Sequence, residues 1–267
     1  MSAIYTQIKN DTSKAMLPGQ PRFSQPYRAV TDPALAARLR NLAATVPGLI
    51  KYLLQHEASF LIACTANLDR RMFFDTLFNT GARLNEALAL SPESFSFGAT
   101  PTVELVTLKA RKKKAAWGKG RPTREQETDV RRETRIVPLL DRAYAARMRD
   151  YLDAYHRRKK TARIWTAQSR QTPATWMNEA VREAERRGMA LSIPVTCHTL
   201  RHSYAMHLLM HGLDERTLMA LMGHKYPRSL LVYTRVFALD VLADSTITFT
   251  QDAQAVAALP GLGGLIR

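Results

Sequence analysis

One change of hydrophobic period constrains the fold more than any other feature of the sequence. Over Pro101–Leu108 the apolar pattern changes to a period of two, with Val103, Leu105 and Thr107 on one face, which is typical of a half-buried strand. Thr134–Leu139 is the second strand candidate. Most of the remaining apolar residues follow helical spacing. The sequence therefore predicts a mainly α fold with one small antiparallel β-sheet.

The predicted helices are bounded by capping and turn residues. Thr196 has the side chain of an N-cap, and Gly81, Gly212 and Gly223 are expected to end three of the helices. The helical segments are Ala34–Ala44, Leu49–His56, Glu57–Asn67, Asp69–Asn79, Arg83–Leu90, Asp141–Lys160, Thr175–Arg187, His198–His211, Asp214–Met222 and a stretch after Ser229.

The net charge limits the kinds of partner. The 267 residues contain 39 Lys+Arg and 23 Asp+Glu, a formal charge of +16, which predicts a polyanionic partner, either nucleic acid or an acidic membrane surface. Lys109–Arg135, between the two strands, holds eleven Lys or Arg and four Asp or Glu, and is expected to be a long basic hairpin loop. The sequence shows no signal peptide or membrane-spanning run, and its two cysteines are too few for a disulfide framework. We therefore expect a soluble, cytoplasmic protein.

Four short motifs contain residue types suited to phosphate chemistry. Arg83 and Arg201 can form a multi-donor clamp for one phosphate, and His198 lies on the same helical face as Arg201, near a helix N-terminus. His224 and Tyr233 are nine residues apart and can reach the same pocket. This set suits nucleophilic attack on a phosphodiester. The motifs are Thr80-Gly81-Ala82-Arg83-Leu84-Asn85-Glu86, His198-Thr199-Leu200-Arg201-His202, Met222-Gly223-His224 and Tyr233-Thr234-Arg235-Val236.

Each of these residues, taken alone, has a structural interpretation. A single helical arginine is usually solvated, and a single tyrosine in an apolar helix is usually part of the core. His198 with His202, and His207 with His211, are spaced by four residues and could bind a metal. The chain has no H-E-x-x-H motif and no cysteine pair beside them, so we expect neither a metal nor a cofactor. The order of the whole set favours the chemical interpretation.

The ordered motifs resemble those of the tyrosine recombinases, the phage-integrase family. The family's T-G-x-R-x-x-E, H-x-L-R-H, L-G-H and Y-T boxes correspond to residues 80–86, 198–202, 222–224 and 233–234, with methionine in place of the leucine at 222. The resemblance covers roughly residues 50–245 and implies the catalytic-domain fold of DNA breaking-rejoining enzymes there. Residues 1–49 are then expected to form a short N-terminal arm, and residues 246–267 a flexible tail.

The resemblance also implies roles for individual residues. Tyr233 corresponds to the nucleophile that forms a 3′-phosphotyrosyl bond, and Arg83 and Arg201 to the arginines that bind the scissile phosphate. His198 corresponds to the residue that takes the tyrosine proton, and His224 to a hydrogen-bond donor to the phosphate. Members of the family use neither metal nor ATP.

The remaining assignments concern support, proton delivery and DNA contact. Glu86 and His202 match residues that support the site, and Lys109 is the expected general acid for the leaving 5′-oxygen. Lys112, Lys113 and Lys114 compete with Lys109 for that role. The residues expected to contact the phosphate backbone are Arg111, Lys112, Lys113, Lys114, Lys119 and Arg121.

The expected partner is a double-stranded DNA recombination site. We expect dimers that form tetramers on paired sites, with residues 237–250 packing on a neighbouring protomer. Members of the family usually carry a helical DNA-binding domain before the catalytic one, so residues 1–49 form a reduced version of it or an accessory DNA-binding protein supplies it. The sequence is similar to plasmid-encoded resolvases of multimers. Integration or excision of a mobile element is the close alternative, and a non-catalytic DNA-binding protein that keeps the fold is the alternative of another class.

Overall fold

The structure is a computed structural model, and it describes residues 30, 32–110, 130–157, 160–167, 169 and 171–238, with the side chains of 108–110, 130–132 and 238 left out. The described residues form nine α-helices and a three-stranded antiparallel sheet, which confirms the predicted fold class. None of the helices in these ranges is long and apolar enough to cross a membrane. The helices are α1 Pro33–Thr45, α2 Gln55–Ala63, α3 Leu68–Thr80, α4 Leu84–Leu88, α5 Arg142–Tyr155, α6 Thr172–Arg186, α7 Cys197–Met210, α8 Glu215–Met222 and α9 Leu231–Ala238; the strands are β1 Phe95–Ser96, β2 Thr102–Ala110 and β3 Val130–Pro138.

The sheet has the order β1-β2-β3, and its two long strands continue further than predicted. Val103, Leu105 and Val137 are fully buried on the inner face, as their alternation predicts. The interpretation of Lys109–Arg135 as loop is wrong at both ends: Lys109 lies within β2 opposite Arg131, rather than after the strand. Backbone pairing continues there after the apolar alternation has stopped, so the side-chain pattern did not indicate it.

The predicted helix over Leu49–His56 is wrong for residues 49–54, which are not helical. Tyr52 and Leu53 are buried there, and the Leu53 N–H donates to the Ser203 hydroxyl of α7 at 2.8 Å instead of to a helical carbonyl. Helix α2 begins at Gln55, because the Glu57 carboxylate accepts the Leu54 N–H at 2.8 Å and satisfies the first turn.

Three other predicted helix boundaries differ from the structure. Helix α2 ends at Ala63 rather than Asn67, because the Asn67 side chain accepts the Arg70 N–H and caps the next helix, α3. Helix α5 ends at Tyr155 instead of Lys160, and α6 begins at Thr172, where the following proline suits the first turn.

Helix α7 lies between the two apolar clusters of the described chain. Leu200 belongs to the larger cluster, which is built from α2 to α6 and the sheet. Tyr204 and the apolar residues after it pack with α1, α8 and α9 in the smaller one. Because both faces of α7 are buried, the helix is a rigid base for the polar residues in its first two turns.

Candidate active site

Two glycines bring the motif loops close to α7. Helices α3 and α8 end at Gly81 and Gly223, whose φ angles of +58° and +61° lie in the left-handed region. A Cβ at Gly81 would lie 2.8 Å from a ring carbon of Tyr204, and one at Gly223 would lie 3.0 Å from an Arg135 nitrogen. Glycine is therefore required at both positions by the backbone and by the close approach.

Arg201 joins these two loops from inside the protein. Thr196 caps α7 as predicted, and Arg201 projects from the first turns of this helix with 3% of its surface exposed. The guanidinium donates to the Gly81 carbonyl and, at 2.7 Å, to the Met222 carbonyl. Burial and the nearby arginines lower the pKa of Arg201 to about 10, so the group remains charged at neutral pH.

Arg83 is anchored by one edge of its guanidinium and is open to solvent on the other. It is the N-cap residue of α4, and it donates to Glu86 Oε1 at 2.7 Å and to the Gly223 carbonyl at 2.8 Å. Its side chain is 37% exposed. The motif glutamate thus supports the motif arginine, as the sequence predicts, and leaves donors of Arg83 available to a ligand.

Glu86 is the carboxylate at the centre of this cluster. It is 1% exposed, it accepts two hydrogen bonds from Arg135, at 2.6 and 2.8 Å, and it also accepts the hydroxyl of Thr107. Burial by itself raises the pKa of Glu86, but the hydrogen bonds and charge of Arg135 outweigh it and lower the pKa to about 2. The carboxylate is therefore ionised at any physiological pH.

Sequence reasoning missed Arg135. Its side chain is 12% exposed and lies on the inner face of β3, two residues before the buried Val137. The alternation that predicted the strand also places Arg135 on the inner face. A charged residue at such a position requires a buried partner, and that requirement was the available signal.

Tyr233 meets this cluster from α9. The residue is 2% exposed, its hydroxyl lies 3.1 Å from His202 Nδ1, and its ring stacks with that of His224 at a centroid distance of 6.3 Å. Burial raises the pKa of Tyr233 to about 12, although Arg201 and Arg83 act in the opposite direction. The phenol is therefore protonated at neutral pH and needs a proton acceptor before it can act as a nucleophile.

Three imidazoles surround the phenol and the arginines. Burial, helped by nearby positive charge, lowers the pKa of His198, and it lowers the pKa of both His202 and His224 to about 4. All three rings are neutral at pH 7 and can accept a proton. The hydroxyl of Tyr233 lies within hydrogen-bond distance of His202 rather than of His198, which the family resemblance assigns as the proton acceptor. His198 instead packs edge to face against His202, with ring centroids 4.2 Å apart.

The structure brings together seven of the predicted site residues: Arg83, Glu86, His198, Arg201, His202, His224 and Tyr233. Lys109 has a described backbone in β2 but not a described side chain, and the predicted DNA contacts at 111–114, 119 and 121 lie outside the described residues. Among the residues that the structure describes, no group of three or more His, Cys, Asp or Glu is arranged to hold a metal ion. Two guanidinium groups, of Arg83 and Arg135, bind the Glu86 carboxylate, and the charge of Arg201 lies near it, so the arrangement is suited to bind an anion.

Comparison with known proteins gives agreement in sequence and in fold. The Phage integrase family matches residues 51–239. The chain is 42% identical to a protein of Escherichia coli K12 named Resolvase, over 96% of this chain and 98% of that one, and 43% identical to a second Escherichia coli Resolvase over 83% and 87%. The crystal structure of XerA recombinase has the same fold, with a TM-score of 0.54 and 19% identity over 76% of this chain and 68% of that one.

Proposed function

The chain belongs to the phage integrase family and is a tyrosine recombinase, and we propose that it cuts and rejoins duplex DNA at a specific site through a bond to Tyr233. One observation carries the residue assignments: the buried phenol of Tyr233 contacts His202 and His224 and lies in the electrostatic field of Arg201 and Arg83. The three arginines near Glu86 exceed its charge by two, which attracts a phosphodiester with its one negative charge and the further negative charge of the transition state.

Arg83 and Arg201 bind the non-bridging oxygens of the scissile phosphate. The pentavalent transition state carries more negative charge than the diester, so donors that are already fixed stabilise it more than they stabilise the substrate. Both arginines are held by backbone carbonyls, Arg83 by Gly223 and Arg201 by Met222, before any DNA is present. His224 Nε2 lies 3.4 Å from an Arg201 nitrogen, and we assign it a hydrogen bond to the same phosphate.

The proton of Tyr233 passes to the imidazoles beside it. His202 contacts the hydroxyl and His198 contacts His202, so we assign proton acceptance to this pair jointly. At rest the transfer is unfavourable, because the pKa of Tyr233 is about 12 and that of His202 about 4. A bound phosphate offsets the arginine charges that help to lower the histidine pKa values, so proton transfer accompanies the attack.

The bonds exchanged are balanced without a cofactor. The Tyr233 oxygen forms a bond to phosphorus, the bond from phosphorus to the 5′-oxygen breaks, and the 5′-oxygen leaves with a proton from Lys109. Rejoining is the reverse reaction with a 5′-hydroxyl of the partner strand. Because the phosphotyrosyl bond replaces the phosphodiester bond, neither ATP nor a metal is required.

The basic hairpin holds the DNA, and four copies act together. The cationic side chains of residues 111–121 contact backbone phosphates, which makes binding strongly dependent on salt. Exchange between two duplexes cuts four strands, and each chain carries one Tyr233, so four copies assemble on two sites. Residues 1–49 serve as a reduced DNA-binding segment, or an accessory DNA-binding protein takes that role.

The proposed biological reaction is the resolution of plasmid multimers, supported by the similar proteins named Resolvase. A supercoiled plasmid that carries two direct copies of DNA from beside the coding gene should be converted into two smaller circles. Recombination that instead joins this DNA to an unrelated attachment site would identify integration as the reaction.

The cleavage proposal is tested with a DNA duplex taken from beside the coding gene, with a nick placed beside each candidate cleavage position. The wild-type chain should form a covalent adduct that survives denaturation, because the short strand diffuses away before rejoining. Tyr233→Phe should form no adduct and still bind the duplex. Tyr226→Phe is the matched control, since Tyr226 is 71% exposed and lies outside the site. An adduct with Tyr233→Phe would overturn the nucleophile assignment, and a wild-type chain that binds but never forms one would favour the non-catalytic alternative.

A further inference from the structure

The end of α8, directly before His224, uses donors from the chain and from three side chains. The last carbonyls of a helix lack partners within the helix. Here the His224 N–H returns to the Met219 carbonyl at 2.9 Å and the Gly223 N–H to the Ala220 carbonyl at 3.0 Å, which is a Schellman motif. The three carbonyls that follow, at 221, 222 and 223, need donors from elsewhere.

Three arginines from three elements supply these donors. The carbonyl of Leu221 accepts from Arg135 at 2.9 Å, that of Met222 from Arg201 at 2.7 Å, and that of Gly223 from Arg83 at 2.8 Å. The C-terminal end of a helix carries partial negative charge, which favours cations at this point. The site thus forms around the end of α8, with His224 as the next residue.

Arg135 differs from the other two because both of its terminal nitrogens bind the carboxylate of Glu86. Its Nε is bound to the Leu221 carbonyl, and both terminal nitrogens are bound to the carboxylate of Glu86. Arg83 keeps an exposed edge, whereas the side chain of Arg135 is largely buried. All three nitrogens of Arg135 are therefore engaged with the protein itself.

We propose that Arg135 is a positioning residue for strand cleavage: it bridges Glu86 and the end of α8, and so fixes Arg83 and His224 without contacting the phosphate. The inference rests on the proposed function and names a further residue of the same site. Glu86 passes the effect to Arg83 through two hydrogen bonds, one to the guanidinium and one to the backbone N–H at 2.8 Å. The Leu221 carbonyl passes it to the turn that holds His224.

Loss of Arg135 should leave a pH signature. Glu86 faces Arg83 of the α4 N-terminus, Thr107 of β2, Arg135 of β3 and the charge of Arg201 on α7. Without Arg135, burial is opposed by fewer partners and the pKa of Glu86 rises. A protonated Glu86 cannot accept both bonds from Arg83, so cleavage by Arg135→Gln should decline more steeply towards acid pH than cleavage by wild type.

The first experiment measures single-turnover cleavage of the nicked duplex across pH. Arg135→Gln should cleave about 10- to 100-fold more slowly, the usual effect of removing a residue that orients a ligand-binding group, with unchanged DNA affinity. Arg135→Lys should restore the pH profile, because it keeps the charge beside Glu86, but only part of the rate, because it loses the two-point contact. Arg147→Gln is the matched control, because Arg147 on α5 likewise binds a buried carboxylate, that of Asp75 on α3, through two nitrogens. Cleavage by Arg135→Gln with the wild-type rate and pH profile would contradict the inference.

The second experiment needs no DNA and therefore separates this inference from the proposed function. In spectra of the chain labelled with ¹⁵N-histidine, Arg135→Gln should move the side-chain signals of His224 and leave those of His207, whereas Arg147→Gln should move neither. If Arg135→Gln does not fold, Arg135→Lys serves for the same comparison. If the His224 signals move in Arg135→Gln but the wild-type chain forms no adduct, recombination is rejected and the positioning of His224 by Arg135 is retained. Unchanged His224 signals would reject the positioning role even if wild type forms the adduct.

Discussion

Helix α7 and its C-cap residue carry two histidine pairs that are similar in local structure. His198 and His202 are four residues apart with ring centroids at 4.2 Å, and His207 and His211 have the same spacing and the same distance. Burial lowers the pKa of His202 and of His207 to about 4. Spacing, ring-centroid distance and the lowered pKa of one buried ring in each pair therefore do not distinguish the proximal pair, His198 and His202, from the distal pair, His207 and His211.

The two pairs differ in what other elements bring to them. The proximal pair meets the hydroxyl of Tyr233 from α9 and lies beside the charge of Arg201. The distal pair meets the ring of Phe78 at 6.1 Å, and His211 Nδ1 donates to the His207 carbonyl at 2.7 Å. The comparison teaches that the phenol and the arginine brought by other elements, rather than the imidazoles themselves, distinguish the pair that we propose as catalytic.

The largest expected difference is in the rate of cleavage. His198→Ala and His202→Ala should each slow single-turnover adduct formation by about 10²- to 10⁴-fold, the usual contribution of a proton acceptor. His207→Ala and His211→Ala are the matched controls and should cleave as wild type does. An equal loss from the distal pair would show that the pairs act through the stability of α7. A loss at His202 without one at His198 would assign proton acceptance to His202 alone.

Much of this site was predictable because its determinants are local. The N-cap at Thr196 and the helix ends at Gly81 and Gly223 depend on capping and on left-handed backbone conformations, which adjacent residues specify. The motif order then brought Arg83 and Tyr233 into one set. For the same reason the mainly α fold and the inner face of the sheet followed from hydrophobic period.

What the sequence did not predict depends on contacts between distant elements. Residues 49–54 leave the helical pattern because Leu53 bonds to Ser203 on α7, 150 residues away. Arg135 binds Glu86 and the Leu221 carbonyl at the end of α8, and neither partner is near it in sequence. The contact between His202 and Tyr233 likewise needs α7 and α9 to pack together, so the sequence did not indicate it, and the family resemblance assigned the tyrosine proton to His198.

The second difference concerns stability against pH. The folded-state pKa of His207 is about 4, below the ordinary value of 6.5, so the unfolded chain binds a proton that the folded chain does not. The contribution of neutral His207 to the free energy of unfolding is fully present above about pH 6.5 and is lost as the pH decreases towards 4. The loss is up to about 3 kcal/mol. His207→Leu should remove that part of the pH dependence of the unfolding free energy, measured by urea unfolding at about pH 5 and about pH 7.5. His202→Leu should have a similar effect on stability and, unlike His207→Leu, should also slow cleavage; an unchanged pH slope in His207→Leu would contradict the burial argument.

The third difference should appear when DNA binds. The pKa of His198 is lowered by burial and then by Arg201 and Arg83, whereas that of His207 is lowered by burial and by His211. A phosphate on the two arginines should raise the pKa of His198 and leave that of His207 unchanged. The measurement is an NMR titration of ¹⁵N-labelled histidines in Tyr233→Phe, with and without uncleaved duplex. Equal shifts at both residues would mean that DNA does not place a phosphate on Arg83 and Arg201.

The smallest expected effect is that of a chelator. Each pair offers two imidazoles, and in the described part of the chain neither is joined by a third His, Cys, Asp or Glu in a geometry that could hold a metal. In the distal pair, His211 Nδ1 is already engaged with a carbonyl, and in the proximal pair, His202 Nδ1 is engaged with the phenol. Cleavage should therefore proceed at the same rate before and after treatment with EDTA. Loss of cleavage that added zinc restores would instead make the proximal pair a metal site, and the hydrogen bond from Tyr233 to His202 would then have to break for the metal to bind.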